Sequence, residues 1–138
     1  MKSIVMDASA LMAFFEGQPG AVKVEEIINL AMEGKRELFM SVVNWGEVYY
    51  AVWRAHGQDA ARRTSAEIAQ LPIEIINADM DSTRLAAEIR ASYKLPYADS
   101  FAASLARQRR AALATGDRDF ESLEKAFEIL WTTGVRGA

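Results

Sequence analysis

Five carboxylates fall where a protein could use them for chemistry. Asp7 ends an apolar run and opens Asp-Ala-Ser-Ala, and Glu47 lies within Asn44-Trp-Gly-Glu-Val. Asp99 sits in Leu95-Pro-Tyr-Ala-Asp-Ser, while Asp117 and Asp119 flank Arg118 in Thr115-Gly-Asp-Arg-Asp-Phe. The first four are 40, 52 and 18 residues apart, so only a tertiary fold can bring them together. The rest of the inventory narrows the chemistry. The absence of cysteine excludes disulfides, thiolate zinc sites, iron–sulfur clusters and cysteine nucleophiles. A single histidine, His56, excludes His-rich metal sites and leaves little basis for a Ser-His-Asp triad.

Singly, each acid has an ordinary structural role. Asp7 can cap the helix that follows it, with Ser9 sharing the work. Asn44 and Glu47 have the spacing of a capping box. Asp99 in a first helical turn complements the helix dipole. Thr115-Gly-Asp-Arg-Asp is turn chemistry in which Asp119 serves as an N-cap. Jointly the acids imply something else. Carboxylates gathered within ~4–6 Å repel, each close pair costing up to ~4 kcal/mol at an effective dielectric near 20. A cation relieves that cost. Oxygen-only donors select hard ions such as Mg²⁺ or Mn²⁺, which bind phosphate oxygens, and the matching chemistry is metal-assisted phosphodiester hydrolysis.

The elements that must position these acids alternate along the chain. Ser3–Met6 reads as a short apolar strand and Ala8–Glu16 as a helix stopped by Gly17-Gln-Pro-Gly20. Ala21–Glu33 carries Val24, Ile27, Ile28 and Ala31 at helical spacing before Gly34. Leu38–Val43 reads as the second strand, and Trp45–His56 and Asp59–Gln70 as helices separated at Gly57. Ile73–Ile76 is a third strand, followed by a helix over Met80–Tyr93 and another from about Pro96 to Arg110. Ala111–Ala114 is the fourth strand, Phe120–Lys125 a short helix and Phe127–Trp131 the last strand. Strands alternating with helices of this length predict an α/β fold of three layers, α/β/α. Its central, mainly parallel sheet has four to five strands and is covered on both faces. Ligands of such sheets gather beyond the carboxyl ends of the strands, where Asp7 and Asp117 fall.

The 138 residues, 51% apolar, without linker, repeat or low-complexity tract, predict one domain over 1–138 with a sizeable core. Sixteen cations against 19 acids give a net charge of −3, which by itself argues weakly against nucleic-acid binding. Yet 11 of the cations are arginines, suited to bidentate phosphate contacts, and bound divalent ions would reverse the outer charge. Asp7 interrupts the N-terminal apolar run, and no stretch reaches the length of a membrane span. A cytoplasmic location is therefore expected, with no membrane contact.

The sequences Met6-Asp-Ala-Ser-Ala, Asn44-Trp-Gly-Glu-Val, Leu95-Pro-Tyr-Ala-Asp-Ser-Phe-Ala-Ala and Ala114-Thr-Gly-Asp-Arg-Asp-Phe, in this order, resemble the PIN-domain ribonucleases. The resemblance runs from Ser3 to about Thr132 and is specifically to the small VapC-type toxins of bacterial type II toxin–antitoxin pairs. It implies a PIN-like fold and a Mg²⁺- or Mn²⁺-dependent endoribonuclease. Asp7, Glu47, Asp99 and Asp117 match the catalytic, metal-binding acids, and Asp119 an accessory metal-binding acid. Ser9 and Thr115 match the hydroxyl positions that orient carboxylates or waters. It further implies an RNA substrate, a small antitoxin partner and a homodimer. Two alternatives stand beside it: a PIN nuclease of RNA processing without an antitoxin, and a non-catalytic RNA- or protein-binding module. A signalling receiver domain fits poorly, since it needs paired acids after the first strand and a lysine after the last.

Two further groups have double readings. Arg107, Arg109 and Arg110 end the helix that Asp99 begins, where they match its dipole. With Arg54, Arg62, Arg63, Arg90, Lys94 and Arg118 they could instead form a rim that holds RNA phosphates. Trp45, Tyr49, Val52 and Trp53 form one stripe, read mainly as core and partly as a groove for a protein partner, with Glu47, Tyr50 and Arg54 opposite. His56 before Gly57 reads as a helix end.

Overall fold

The computed structural model describes residues 2–133. Five strands form one sheet: β1 (Lys2–Met6), β2 (Arg36–Ser41), β3 (Ile73–Ile76), β4 (Ala112–Thr115) and β5 (Ile129–Trp131). Their order is β3-β2-β1-β4-β5, and every pairing is parallel. The helices are α1 (Ala8–Glu16), α2 (Ala21–Met32), α3 (Val42–His56), α4 (Gln58–Gln70), α5 (Met80–Ser92) and α6 (Tyr97–Arg109). A 3₁₀ turn covers Arg118–Leu123.

The alternation of a strand's side chains divides the core into two layers. Ile4 and Met6 of β1, with Leu38 and Met40 of β2, pack with Leu11, Val24, Ile27, Ile28, Val48, Val52, Ala61 and Ile68 from α1 to α4. Val5, Phe39 and Leu113 point the other way, against Ile89 of α5, Ala102, Ala103, Leu105 and Ala106 of α6, and Phe120 and Leu123. Both faces of the sheet are thus covered, which is why its central strands read as continuous apolar runs. The three-layer α/β/α expectation holds, with five strands, all parallel.

The boundaries shift where side-chain caps decide them. The second strand ends at Ser41, not Val43: the Ser41 side chain accepts a hydrogen bond from the Val43 N–H, and α3 starts at Val42 rather than Trp45. Two β-branched residues that read as strand therefore open a helix. Asp117, not Asp119, caps the last helical turn, its carboxylate accepting from the Asp119 N–H at 2.9 Å. That turn is 3₁₀ and begins at Arg118, two residues earlier than expected.

The order of the strands fixes where a ligand belongs. From β1 the chain moves outward through β2 and β3, then returns to place β4 on the other side of β1. The direction of winding changes between β1 and β4, and the carboxyl ends of those two strands carry Asp7 and Asp117.

Candidate active site

Parallel register brings the first and last acids level. Met6 of β1 pairs with Ala114 of β4, so Asp7 lies beside Thr115. Asp7 caps α1, its Oδ1 accepting from the Ala10 N–H at 2.9 Å, and it is almost fully buried. The hydroxyl of Ser9 donates to the Asp7 carboxylate at 2.8 Å, and the Thr115 hydroxyl donates to Asp7 Oδ2. Thr115 Oγ1 in turn accepts from the Asp117 N–H at 2.9 Å, and Ser9 Oγ accepts from the Gly116 N–H at 3.2 Å. Ser9 and Thr115 therefore hold Asp7 and tie it to the loop that carries Asp117.

The middle two acids come from helix N-termini. Glu47 stands in the second turn of α3 and Asp99 in the first turn of α6. The fully buried Asn44 joins the two helices: its Nδ2 donates to Glu47 Oε1 at 2.9 Å and to the Ala98 carbonyl at 3.0 Å. The Asn44–Glu47 spacing is not a capping box, because Asn44 lies inside the helix and Ser41 is the cap. Asn44 is thus a positioning residue absent from the residues expected at the site. Its spacing to Glu47 was the available signal.

Asp7, Glu47, Asp99 and Asp117 line one cavity of about 250 Å³, closed by Ala8, Ser9, Met12, Tyr50 and Ala51. Asp99, Asp117 and Asp119 each offer an oxygen within 4.8 Å of the others, and Asp119 stands outside the wall of that cavity. The electrostatics follow from this crowding. Burial pushes the Asp99 carboxyl up to about 8, reinforced by the charges of Asp117, Asp7 and Glu47. Burial likewise lifts Asp7 to about 6, against the opposing hydrogen bonds from Thr115, Ala10 and Ser9. Carboxylates held in such proximity, with no ion-pair partner among the described residues, suit a divalent cation, and a set of oxygen donors alone suits a hard one.

The other expected groups separate. Arg107 stacks over Phe127 at 4.4 Å and Arg109 over Phe39 at 4.6 Å. Asp99 and Arg109 stand ten residues apart on one helix, about 15 Å at ~1.5 Å per residue, so these arginines leave the rim expected around the acids. Arg110 ends α6 in the left-handed conformation, φ 52°. Arg118 lies over Trp131 at 4.4 Å. Arg63 and His56 line a separate groove of about 350 Å³ with Phe15, Glu16 and Val52, between α1, α3 and α4. Trp45 stacks on Tyr49 at 5.3 Å and both pack against the core, as read, while Trp53 is 43% exposed. Opposite that stripe, Tyr50 faces the acids.

Comparison with known proteins adds to this geometry. No curated protein sequence matches the chain. Solved structures of the same fold include a toxin–antitoxin complex from Klebsiella pneumoniae, 20% identical, with a TM-score of 0.71 over 96% of this chain and 99% of that one. DNA-bound VapBC from Salmonella typhimurium is 15% identical, with a TM-score of 0.75 over 96% and 99% of the respective chains. Mycobacterium tuberculosis VapC20, described as a sarcin–ricin loop cleaving toxin, is 17% identical, with a TM-score of 0.73 over 92% and 98%. The family model of the PIN domain matches residues 4–126, a span that runs from β1 past the 3₁₀ turn and takes in all five acids. The chain belongs to the PIN-domain family.

Proposed function

We propose that this protein is a VapC-type toxin: a Mg²⁺- or Mn²⁺-dependent endoribonuclease of the cytoplasm, held inactive by a small antitoxin. The observation that carries the reading is the convergence of Asp7, Glu47, Asp99 and Asp117 on one small cavity at the switch point of a parallel sheet. The four are the catalytic acids and metal ligands, with Asp119 as a further ligand beside Asp99 and Asp117. A bound divalent ion supplies acidity to a water and positive charge against the phosphate oxygens.

The protein's own residues do the rest. Ser9 and Thr115 fix both oxygens of Asp7, so this carboxylate presents one geometry to an ion or a water. Asn44 does the same for Glu47 while anchoring α3 to the start of α6. In the absence of a cation Asp99 keeps its proton up to about pH 8, because burial first and then the charges of Asp117, Asp7 and Glu47 disfavour its ionised form; a bound cation would offset those charges and favour the carboxylate. Tyr50 and Met12 form the less polar wall of the cavity.

The antitoxin is supported by the structural neighbours from Klebsiella pneumoniae and Salmonella typhimurium, whose structures are of toxin–antitoxin complexes. A homodimer belongs to the same reading, with exposed Val22, Met32, Trp53 and Met80 among the side chains available for an interface. The test is cleavage of cellular RNA by the purified protein with Mn²⁺ or Mg²⁺, compared with the metal-chelated protein and with Asp99→Asn. Ends mapped by sequencing after brief induction identify the RNA. Wild-type protein that leaves all RNA intact with either metal sinks the proposal.

A further inference from the structure

Two cations next to the acid cavity have no assigned work. Arg90 lies in the last turn of α5 and Lys94 in the connection to α6, both exposed. With Leu95, Pro96 and Asp119 they line a groove of about 300 Å³, distinct from the cavity that holds Asp7 and Glu47. Asp119 links the two, since its carboxylate also lies within 4.8 Å of oxygens of Asp99 and Asp117. Among the described residues neither Arg90 nor Lys94 has a carboxylate within 4.0 Å.

Helix electrostatics accounts for only part of this. A cation in the last turn of α5 complements the helix dipole, which explains Arg90. It does not explain Lys94, which lies beyond the helix. Nor does it explain why Asp119, from the far end of the sequence, closes the same groove. Two unpaired cations facing one acid give the groove a positive balance immediately beside the most acidic part of the molecule. The juxtaposition suits a polyanion that has one phosphate over the carboxylates and its neighbour beyond them.

We infer that Arg90 and Lys94 form a subsite for a backbone phosphate of the RNA strand, adjacent to the one being cut. The inference rests on the nuclease reading above and adds to it the direction in which the strand leaves the acids, past Asp119 toward the α5–α6 connection. Phosphate contacts of this kind position the strand and carry no base preference. The subsite therefore acts on register and affinity, while the acids do the chemistry.

The test is the salt dependence of binding, measured by fluorescence anisotropy with a short, labelled, single-stranded RNA of random sequence. Ca²⁺, an oxygen-binding ion, neutralises the acids in this assay. Each neutralised phosphate contributes a slope of about −0.7 to log K against log salt for a single strand. Arg90→Ala and Lys94→Ala should each flatten the slope, and the double variant should flatten it by about 0.7, an affinity loss of about 5-fold at 0.1 M salt relative to the 1 M extrapolation. Arg90→Lys should retain the slope, because a point charge suffices for this contact. Lys35→Ala, exposed at the amino end of β2 and so at the opposite end of the sheet from the acids, should leave it unchanged.

Wild-type slopes in the Arg90 and Lys94 variants overturn the subsite, as does an equal loss with Lys35→Ala, which would make the attraction a diffuse field. Wild-type protein with no salt-dependent RNA binding overturns the nuclease reading together with the subsite. Unchanged slopes in the variants of a protein that does bind and cut RNA overturn the subsite alone.

Discussion

Replacing Asp99 with Asn separates a metal-binding carboxylate from a merely structural one, because the two roles predict opposite changes. In the folded protein burial and the charges of Asp117, Asp7 and Glu47 push Asp99 from 3.8 up to about 8. A carboxyl with a raised folded-state pKa burdens the native state once pH passes its unfolded value, and the burden grows until pH passes the folded value. Without metal, the penalty is therefore absent below about pH 4, builds between pH 4 and 8, and is complete above. At ~1.4 kcal/mol per pKa unit the full gap would approach 6 kcal/mol, an upper bound. Asp99 is only partly buried, and screening by solvent reduces the figure to roughly 1–3 kcal/mol. The neutral amide removes this burden at little change in shape. Metal-free Asp99→Asn should thus melt roughly 3–12 °C above wild type at pH 8.5 and close to it at pH 4. Adding Mn²⁺ at about a hundredfold excess over its dissociation constant should stabilise wild type by ~2.7 kcal/mol and the variant by clearly less, with RNA cleavage lost. Thermal melts at both pH values, with EDTA and with Mn²⁺, give the answer. A variant that is less stable at pH 8.5 but retains the Mn²⁺ response and cleavage would mean that Asp99 only complements the α6 dipole, refuting the clustered-charge reasoning.

Other residues give independent checks. Thr115→Val removes the donor to Asp7 and the acceptor of the Asp117 N–H; it should cost ~1–3 kcal/mol in denaturant melts and lower cleavage, since both acids lose their anchor. Asn44→Ala should cost a similar ~1–3 kcal/mol and reduce kcat by releasing Glu47, whereas Asn44→Asp should destabilise further in EDTA and recover part of the loss with Mn²⁺, because it adds a like charge beside Glu47. Arg107→Ala and Arg109→Ala should each lose ~0.5–2 kcal/mol of stability with the stacking on Phe127 and Phe39, and leave the salt dependence of RNA binding as it is. Gly116→Ala places a methyl group 3.0 Å from the buried Thr132 hydroxyl, between Thr115 and Asp117; a stability loss of ~1–3 kcal/mol, read by melting, is expected.

Sequence and tertiary structure divided the specification of this molecule in a physically intelligible way. Local chemistry was legible in the chain. Apolar runs of strand length alternating with helical stretches permit only a parallel sheet covered on both faces, and the five strands stand close to where those runs lie. The acids were legible as well, since Asp7 directly follows β1, Asp117 stands two residues past β4 and Asp99 lies in the first turn of α6. Helix starts were less so. Val42 and Val43 carry strand propensity, and the Ser41 hydroxyl overrides it with a single hydrogen bond.

What depended on side chains meeting across the fold could not be read from spacing. Asn44 and Glu47 are three residues apart, which fits a capping box as well as the bridge that Asn44 makes from Glu47 to Ala98, and only the helix start at Ser41 and the approach of α6 distinguish the two. Arg107 and Arg109 share a helix with Asp99, yet the length of α6 carries them away from the acids and onto aromatic rings. The raised carboxyls of Asp7 and Asp99 arise from burial and from neighbours up to 110 residues away in sequence. Propensity and periodicity act within a few residues and determine the elements by themselves. Distances between charges are set by strand order and helix length, so the site's electrostatics belongs to the folded chain alone.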